Sequence, residues 1–172
     1  MRTLRLTPAV RKKVASKKGI LLDISFGGTP QPRSLTLGPK GDIRHDPTRI
    51  PFPLPSACVN TCVVTHVLEY IEPSQWYAWW NELHRVMMPT GIVYLSGPYG
   101  GDESQGWLSD PSHRTRVIED AFAWLDPRTP VYQQHDQCGR ETPKPWLMLS
   151  HARIPGPNNT ISYNITLASQ QV

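Results

Sequence analysis

The stretch TCVVTHVLEYIEPSQWYAWWNELHRVMMPTGIVYLSGPY (residues 61–99) decides the fold. It opens inside CVNTCVVTHVL (58–68), which reads as a strand with a β-branched core at Val63, Val64 and Thr65. A helix is predicted over residues 72–91. Pro73 fits a first helical turn. Trp76, Trp79, Trp80, Leu83, Val86 and Met87 recur at helical spacing and would cover one side. The sequence PTG stops the helix, and IVYLSGPY reads as a second buried strand. Strand, helix and strand in this order make a parallel unit with a right-handed crossover.

Working outward, GILLDI (residues 19–24) and SLTLG (34–38) read as two more strands. Nine residues separate them, with two glycines and two prolines, whereas a helical crossover needs at least about ten to twelve. A loop or a single turn is expected there. DIRHD (42–46) is a short third strand candidate. HDPTRIPFPLP (45–55) follows, with four prolines in eleven residues. Such a segment cannot continue a ladder or a helix. Downstream, GGDESQGWLSDPSH is a long polar loop. RTRVIEDAFAWLD (114–126) predicts a helix with Val117, Ala121 and Trp124 on one stripe, and residues 131–145 read as irregular. WLMLSHARI and TISYNITLA, separated by PGPNN, predict an antiparallel hairpin. The sum is an α/β chain with a mostly parallel sheet and an antiparallel finish.

A chain of 172 residues with 38% apolar and 19% charged residues fits one domain with its own core. The net charge of +4 is unevenly spread. Arg2, Arg5, Arg11, Lys12, Lys13, Lys17 and Lys18 precede Gly19 without an acid, leaving eleven bases against fourteen acids in the rest. This basic arm (residues 1–18) reads either as a solvated terminus or as a phosphate contact that would admit a nucleic-acid partner. Cys58, Cys62 and Cys138 form neither a disulfide framework nor a zinc motif. Buried free thiols are expected, in keeping with a reducing cytoplasm. No secretory h-region and no membrane-spanning apolar run is visible, so no membrane partner is expected. No metal site is assigned, and no nucleophile is visibly paired with a base.

In an open parallel sheet, ligands bind beyond the carboxyl ends of the strands, where the strand order reverses. Those ends are SFGG, LGPKG, HDPTRIPFP, THVLEY and GPYGG. Together, LLDISFGG, HDPTRIPFPLPSACVNTCVVTHVLEYI and NELHRVMMPTGIVYLSGPY resemble the class I S-adenosylmethionine-dependent methyltransferases. Within them the chain is similar to small phage and bacterial domains of the methyltransferase-11 type, over about residues 21–146. The later GWLSDPSH, AFAWLDP and KPW also resemble a subgroup of those phage proteins. The resemblance implies a Rossmann-like three-layer α/β fold with reduced helix content, occupying residues 19–172 as a single methyltransferase-like domain. It implies S-adenosyl-L-methionine as cofactor and a methyl acceptor of unknown identity. It also implies cofactor contacts from Asp23, Ser25, Phe26, Gly27, Gly28, Leu37, His45, Asp46, Pro47, Thr65 and His66. Asp46 matches the residue that receives the adenine amine. Proline stiffening of its loop would lower the entropy lost on docking. Alternatively the prolines shape a turn that Asp46 caps. His66 reads as a structural residue or as a proton carrier. Tyr99, Asp110 and His113 are candidate substrate contacts, although Asp110 and Ser112 also suit a helix cap.

The chain departs from the family pattern at several positions. Leu37 and Gly38 stand where an acid normally accepts from both ribose hydroxyls. The first loop lacks GxGxG spacing, Tyr70 replaces a histidine, and Asn60 replaces an aspartate. Loss of the ribose acid would cost about 1.5–3 kcal/mol. Two readings follow: a methyltransferase, or a non-catalytic methyltransferase-fold module that binds a protein or nucleic acid.

Overall fold

The computed structural model describes residues 6–15, 18–27, 29–101, 105–118, 120–137, 143–157 and 160–170. Seven strands form one sheet: β1 (Ile20–Ser25), β2 (Leu35–Gly38), β3 (Ile43–Arg44), β4 (Val59–Thr65), β5 (Met87–Pro98), β6 (Trp146–Pro155) and β7 (Ile161–Ser169). Their spatial order is β3-β2-β1-β4-β5-β7-β6. Strands β1 to β5 pair in parallel, and β7 runs antiparallel to both β5 and β6. The expected α/β class, mostly parallel sheet, antiparallel end and low helix content are all present. Strand order reverses at β1, which pairs with β2 on one side and β4 on the other.

The helices are α1 (Pro8–Val14), α2 (Trp76–Val86), α3 (Gln105–Leu108), α4 (Asp120–Ala123) and α5 (Pro130–Gln137). Two single 3-10 turns, Leu68–Tyr70 and Pro73–Gln75, lead into α2. Three local expectations need correction. The helix expected over residues 114–126 shrinks to α4, because Thr115 and Val117 engage their backbone groups elsewhere: Thr115 N donates to Glu69 O, and Val117 O accepts from Gly100 N. The stretch read as irregular contains α5, where Pro130 takes the first helical position. The PTG sequence does not lie between helix and strand, since β5 already begins at Met87 and Thr90 turns within it at φ +60. Within the basic segment, Val10 and Val14 of α1 are buried in the core, while Arg11, Lys12 and Lys13 face outward.

The core lies between α2 and one face of the sheet. Trp80 is its centre. Its ring meets Trp79, Trp146 and Phe122 edge-on at 5.3, 5.7 and 6.1 Å. Trp79 in turn meets Phe52 at 6.0 Å. Such pairs add to the gain from burial alone. The opposite face is more open. Neither the nine-residue link between β1 and β2 nor the four-residue link between β2 and β3 holds a helix among the described residues, and Tyr94 in mid-β5 is 48% exposed.

The proline-rich segment owes its course to α2. Trp79 Nε1 donates to the Pro47 carbonyl at 2.9 Å. Glu82 Oε1 accepts from Phe52 N at 2.6 Å. Arg85 donates to both Glu82 oxygens, to the carbonyls of Phe52 and Leu54, and to Ser56 Oγ. Proline removes main-chain donors from this loop, and side chains of α2 satisfy the groups that remain. Glu82→Ala strands the Arg85 guanidinium and the Phe52 N–H. It is expected to lower unfolding free energy by about 3 kcal/mol, read from the urea midpoint. Trp80→Ala should cost about 3–5 kcal/mol by the same measurement.

Candidate functional site

At the carboxyl ends of β1 and β2, a crevice of about 150 Å³ is lined by Ser25, Phe26, Gly27, Pro30, Thr36, Leu37, Gly38, Lys40 and Gly41. Asp23 shapes its outer wall. Its side chain is buried, and Oδ2 accepts from Gln31 N at 2.9 Å, drawing the link back onto β1. A Cβ placed on Gly27 would meet nothing within 4 Å, so the backbone there borders open space. Phe26 is 39% exposed, and its ring meets Tyr70 at 5.1 Å.

The residues inferred from the sequence divide into two groups. Ser25, Phe26, Gly27 and Leu37 line the crevice, and Asp23 anchors its loop. Thr65 pairs with Ser25 across the β1–β4 ladder, which brings His66 to the same end of the sheet. Gly28 lies outside the described residues. His45, Asp46 and Pro47 do not line the crevice. Their polar groups serve the loop itself. Asp46 Oδ1 accepts from Thr48 N at 3.0 Å and from Thr48 Oγ1 at 2.8 Å, and Oδ2 lies 3.4 Å from Arg49 Nε. His45 Nε2 pairs with the Arg49 carbonyl, and the Pro47 carbonyl accepts from Trp79. Asp46 thus makes bonds of the turn-capping kind within its own loop. Lys40 and Gly41 line the crevice, although sequence reasoning passed over them. They are the last two residues of GPKG (38–41), and only folding turns that loop toward Ser25.

No acid stands at the end of β2. Leu37 is buried at 1% exposure, and any Cβ at Gly38 would collide with the Ser25 carbonyl oxygen. The nearby acid is already engaged: Asp42 Oδ2 accepts from both the backbone and the hydroxyl of Thr36 at 3.0 Å.

A second polar group surrounds Tyr70. Its hydroxyl donates to Asp110 Oδ2 at 2.8 Å. Asp110 Oδ1 accepts from Ser112 N at 2.8 Å and also from the Ser112 hydroxyl. Asp110 therefore caps a turn, not a helix, because no helix begins until Asp120. These bonds, chiefly those from Ser112, hold its carboxyl at about 2. Burial first, then the Asp110 bond, pushes the Tyr70 phenol up to about 12. The His113 side chain is nearly buried. Its Nδ1 pairs with the Trp107 carbonyl at 2.8 Å, and Nε2 lies 3.7 Å from Asp110 Oδ2. Tyr99 is only 5% exposed and carries Arg153 over its ring at 4.5 Å. Its burial leaves little ring surface for a substrate.

Cys58 and Cys62 are buried free thiols, and burial raises Cys58 to about 11. Cys138 lies outside the described residues. Among the described residues, no three acids, histidines or cysteines group as metal ligands, and no helix is long and apolar enough to cross a membrane.

No protein-family profile matches the sequence, and no curated protein matches it. Solved structures do resemble it in fold. An S-adenosylmethionine-dependent methyltransferase from Methanosarcina mazei aligns with a TM-score of 0.60 at 11% identity, over 98% of this chain and 100% of that one. The Burkholderia thailandensis 1,6-didemethyltoxoflavin-N1-methyltransferase, with 1,6-didemethyltoxoflavin and S-adenosylhomocysteine bound, aligns at 0.57 and 10% identity, over 95% and 79% of the two chains. The [4+2]-cyclase SpnF aligns at 0.52 and 13% identity, over 98% and 81%. The chain has the Rossmann-like methyltransferase fold.

Gly38→Ala is expected to force β1 and β2 apart at the crevice, lowering stability by about 1–3 kcal/mol in urea denaturation. Asp110→Asn removes a negative charge that disfavours the phenolate. Ultraviolet titration should then show Tyr70 ionising at a lower pH than in the wild type, with burial keeping it above an ordinary tyrosine.

Proposed function

We propose that the protein is an S-adenosylmethionine-dependent methyltransferase whose cofactor is held chiefly by backbone. One observation carries this reading: the Ser25–Phe26–Gly27 turn borders an open crevice at the reversal point of a β3-β2-β1-β4-β5-β7-β6 sheet. That is where parallel sheets take nucleotide ligands. The residues present suit part of the cofactor. Open space at Gly27 accommodates a close backbone approach, Phe26 and Pro30 offer apolar walls, and Lys40 offers a cation for a carboxylate. A crevice of about 150 Å³ is smaller than the roughly 300 Å³ at which ordinary ligand pockets begin, so much of the ligand would remain at the surface. When bound, the cofactor supplies a methyl group made electrophilic by its sulfonium. The protein contributes position and electrostatics.

Without a ribose acid the affinity is expected to be modest, about tenfold to a hundredfold below that of an acid-bearing site. Thermal denaturation with and without S-adenosylhomocysteine tests this. At a hundredfold excess over Kd, binding stabilises by about 2.7 kcal/mol and raises Tm. No shift and no calorimetric heat at millimolar ligand would remove the proposal.

Two observations favour a second reading, a non-catalytic module on the same fold. Glycine stands at position 38, where a Cβ would meet the Ser25 carbonyl oxygen, and Asp46 Oδ1 accepts from Thr48 while Oδ2 lies 3.4 Å from Arg49 Nε. The exposed Arg11, Lys12 and Lys13 would then serve a nucleic-acid or protein partner. The same thermal experiment separates the two readings, since the second predicts no response to S-adenosylhomocysteine.

A further inference from the structure

Beside the crevice, the turn after β4 holds an acid that the fold does not explain. Glu69 is fully buried, and neither of its carboxyl oxygens has a hydrogen-bond partner. A buried carboxyl without partners is costly and calls for a counter-charge. Three titratable groups face it. Tyr163 of β7 is buried with its own hydroxyl unbonded, and burial together with Glu69 pushes its phenol well up. Tyr70, adjacent in the chain, turns its hydroxyl to Asp110 instead. His66 places Nδ1 3.3 Å from Glu69 Oε1, at ion-pair distance but misaligned for a hydrogen bond. Among the described residues, only His66 could bring a positive charge to that distance.

The two side chains differ sharply in environment: Glu69 is sealed, whereas the His66 side chain is 62% exposed. His66 leaves β4 in a left-handed conformation, φ +52, and its backbone N donates to Ser96 O at 2.9 Å. It follows Thr65, which is paired with Ser25 on one side and Ser96 on the other. The same turn carries Tyr70 against Phe26, a crevice residue. An exposed imidazole backed by a buried carboxyl is the arrangement that accepts a proton and stabilises the resulting cation. Glu69 raises the His66 pKa in this structure, against the opposing effect of burial.

We propose that neutral His66, oriented by Glu69, takes the proton from a methyl acceptor whose reacting nitrogen or oxygen still bears hydrogen. This rests on the methyltransferase reading above. The acceptor's lone pair forms the new bond to the methyl carbon as the carbon–sulfur bond breaks, and that electron pair stays on sulfur as a neutral thioether. The acceptor's proton passes to Nε2 of His66, and the imidazolium faces the Glu69 carboxylate. Acceptors with a weakly acidic N–H or O–H are thereby favoured over those that carry no proton to lose. Glu69 acts through His66 and is a positioning residue.

The test is a nuclear magnetic resonance titration of His66 in the full chain carrying labelled histidine, with the signal assigned through His66→Gln. In wild type His66 should titrate above an ordinary histidine, and Glu69→Gln should lower that value. A second comparison needs no variant. S-adenosylhomocysteine has a neutral sulfur, whereas its amine analogue sinefungin places an ammonium near the position of the transferred methyl. Sinefungin should lower the His66 pKa by about one pH unit relative to S-adenosylhomocysteine. If both ligands bind and His66 titrates identically with each, the proton-acceptor role is overturned while the cofactor reading stands. An unchanged pKa in Glu69→Gln overturns the role given to Glu69. If neither ligand binds, the methyltransferase reading itself has failed and takes this proposal with it.

Discussion

The Glu82–Arg85 pair of α2 is the constraint on which much of the fold's upper half depends. It binds the backbone of Phe52 and Leu54 and so fixes a loop that contains four prolines and can form few bonds of its own. With Trp79 holding Pro47, the loop becomes a lid on the tryptophan core. The arrangement depends on burial. Glu82 is nearly sealed, so its bonds to Arg85 and Phe52 N are made where water competes poorly. The stiffness of the proline segment is thus recruited by packing. Its acid, Asp46, is consumed in local turn geometry.

The same economy governs the other end of the sheet. Among the described residues, the links from β1 to β2 and from β2 to β3 hold no helix. Gly38 lies close against Ser25, and Thr36 exchanges bonds with Asp42 across the turn. This narrows the crevice and removes the place where a ribose-binding acid would stand. What remains is a cleft with three glycines and one lysine in its lining, at the same end of the sheet as the turn that carries His66 and Glu69. A site of this kind would rely on backbone dipoles for the ligand and would concentrate its ionisable chemistry on the β4 side.

Much of the strand pattern was legible. Apolar runs at residues 19–24, 34–38, 61–65 and 92–99 correspond to β1, β2, β4 and most of β5, because strands buried in a parallel sheet read as continuous apolar segments. The C-terminal hairpin was legible from alternation around PGPNN. Helices were less so. The stripe of Val117, Ala121 and Trp124 suggested a long helix, but backbone bonds to Glu69 and Gly100 keep residues 114–118 out of it, and only four residues remain helical. α5 was missed because glutamines and a histidine give it no apolar stripe.

By itself the sequence determined the α/β class, the parallel unit around α2 and the absence of an acid at the end of β2. These are properties of local pattern and residue type, and neighbouring residues suffice to express them. Only the tertiary structure decided what each polar group does. Asp46 faces Thr48, Asp110 faces Tyr70, and Glu69 ends up sealed beneath an exposed histidine. Those assignments depend on burial and on partners up to forty residues away along the chain, as in the Tyr70–Asp110 bond. A carboxyl group carries no mark in the sequence of whether water or protein will surround it.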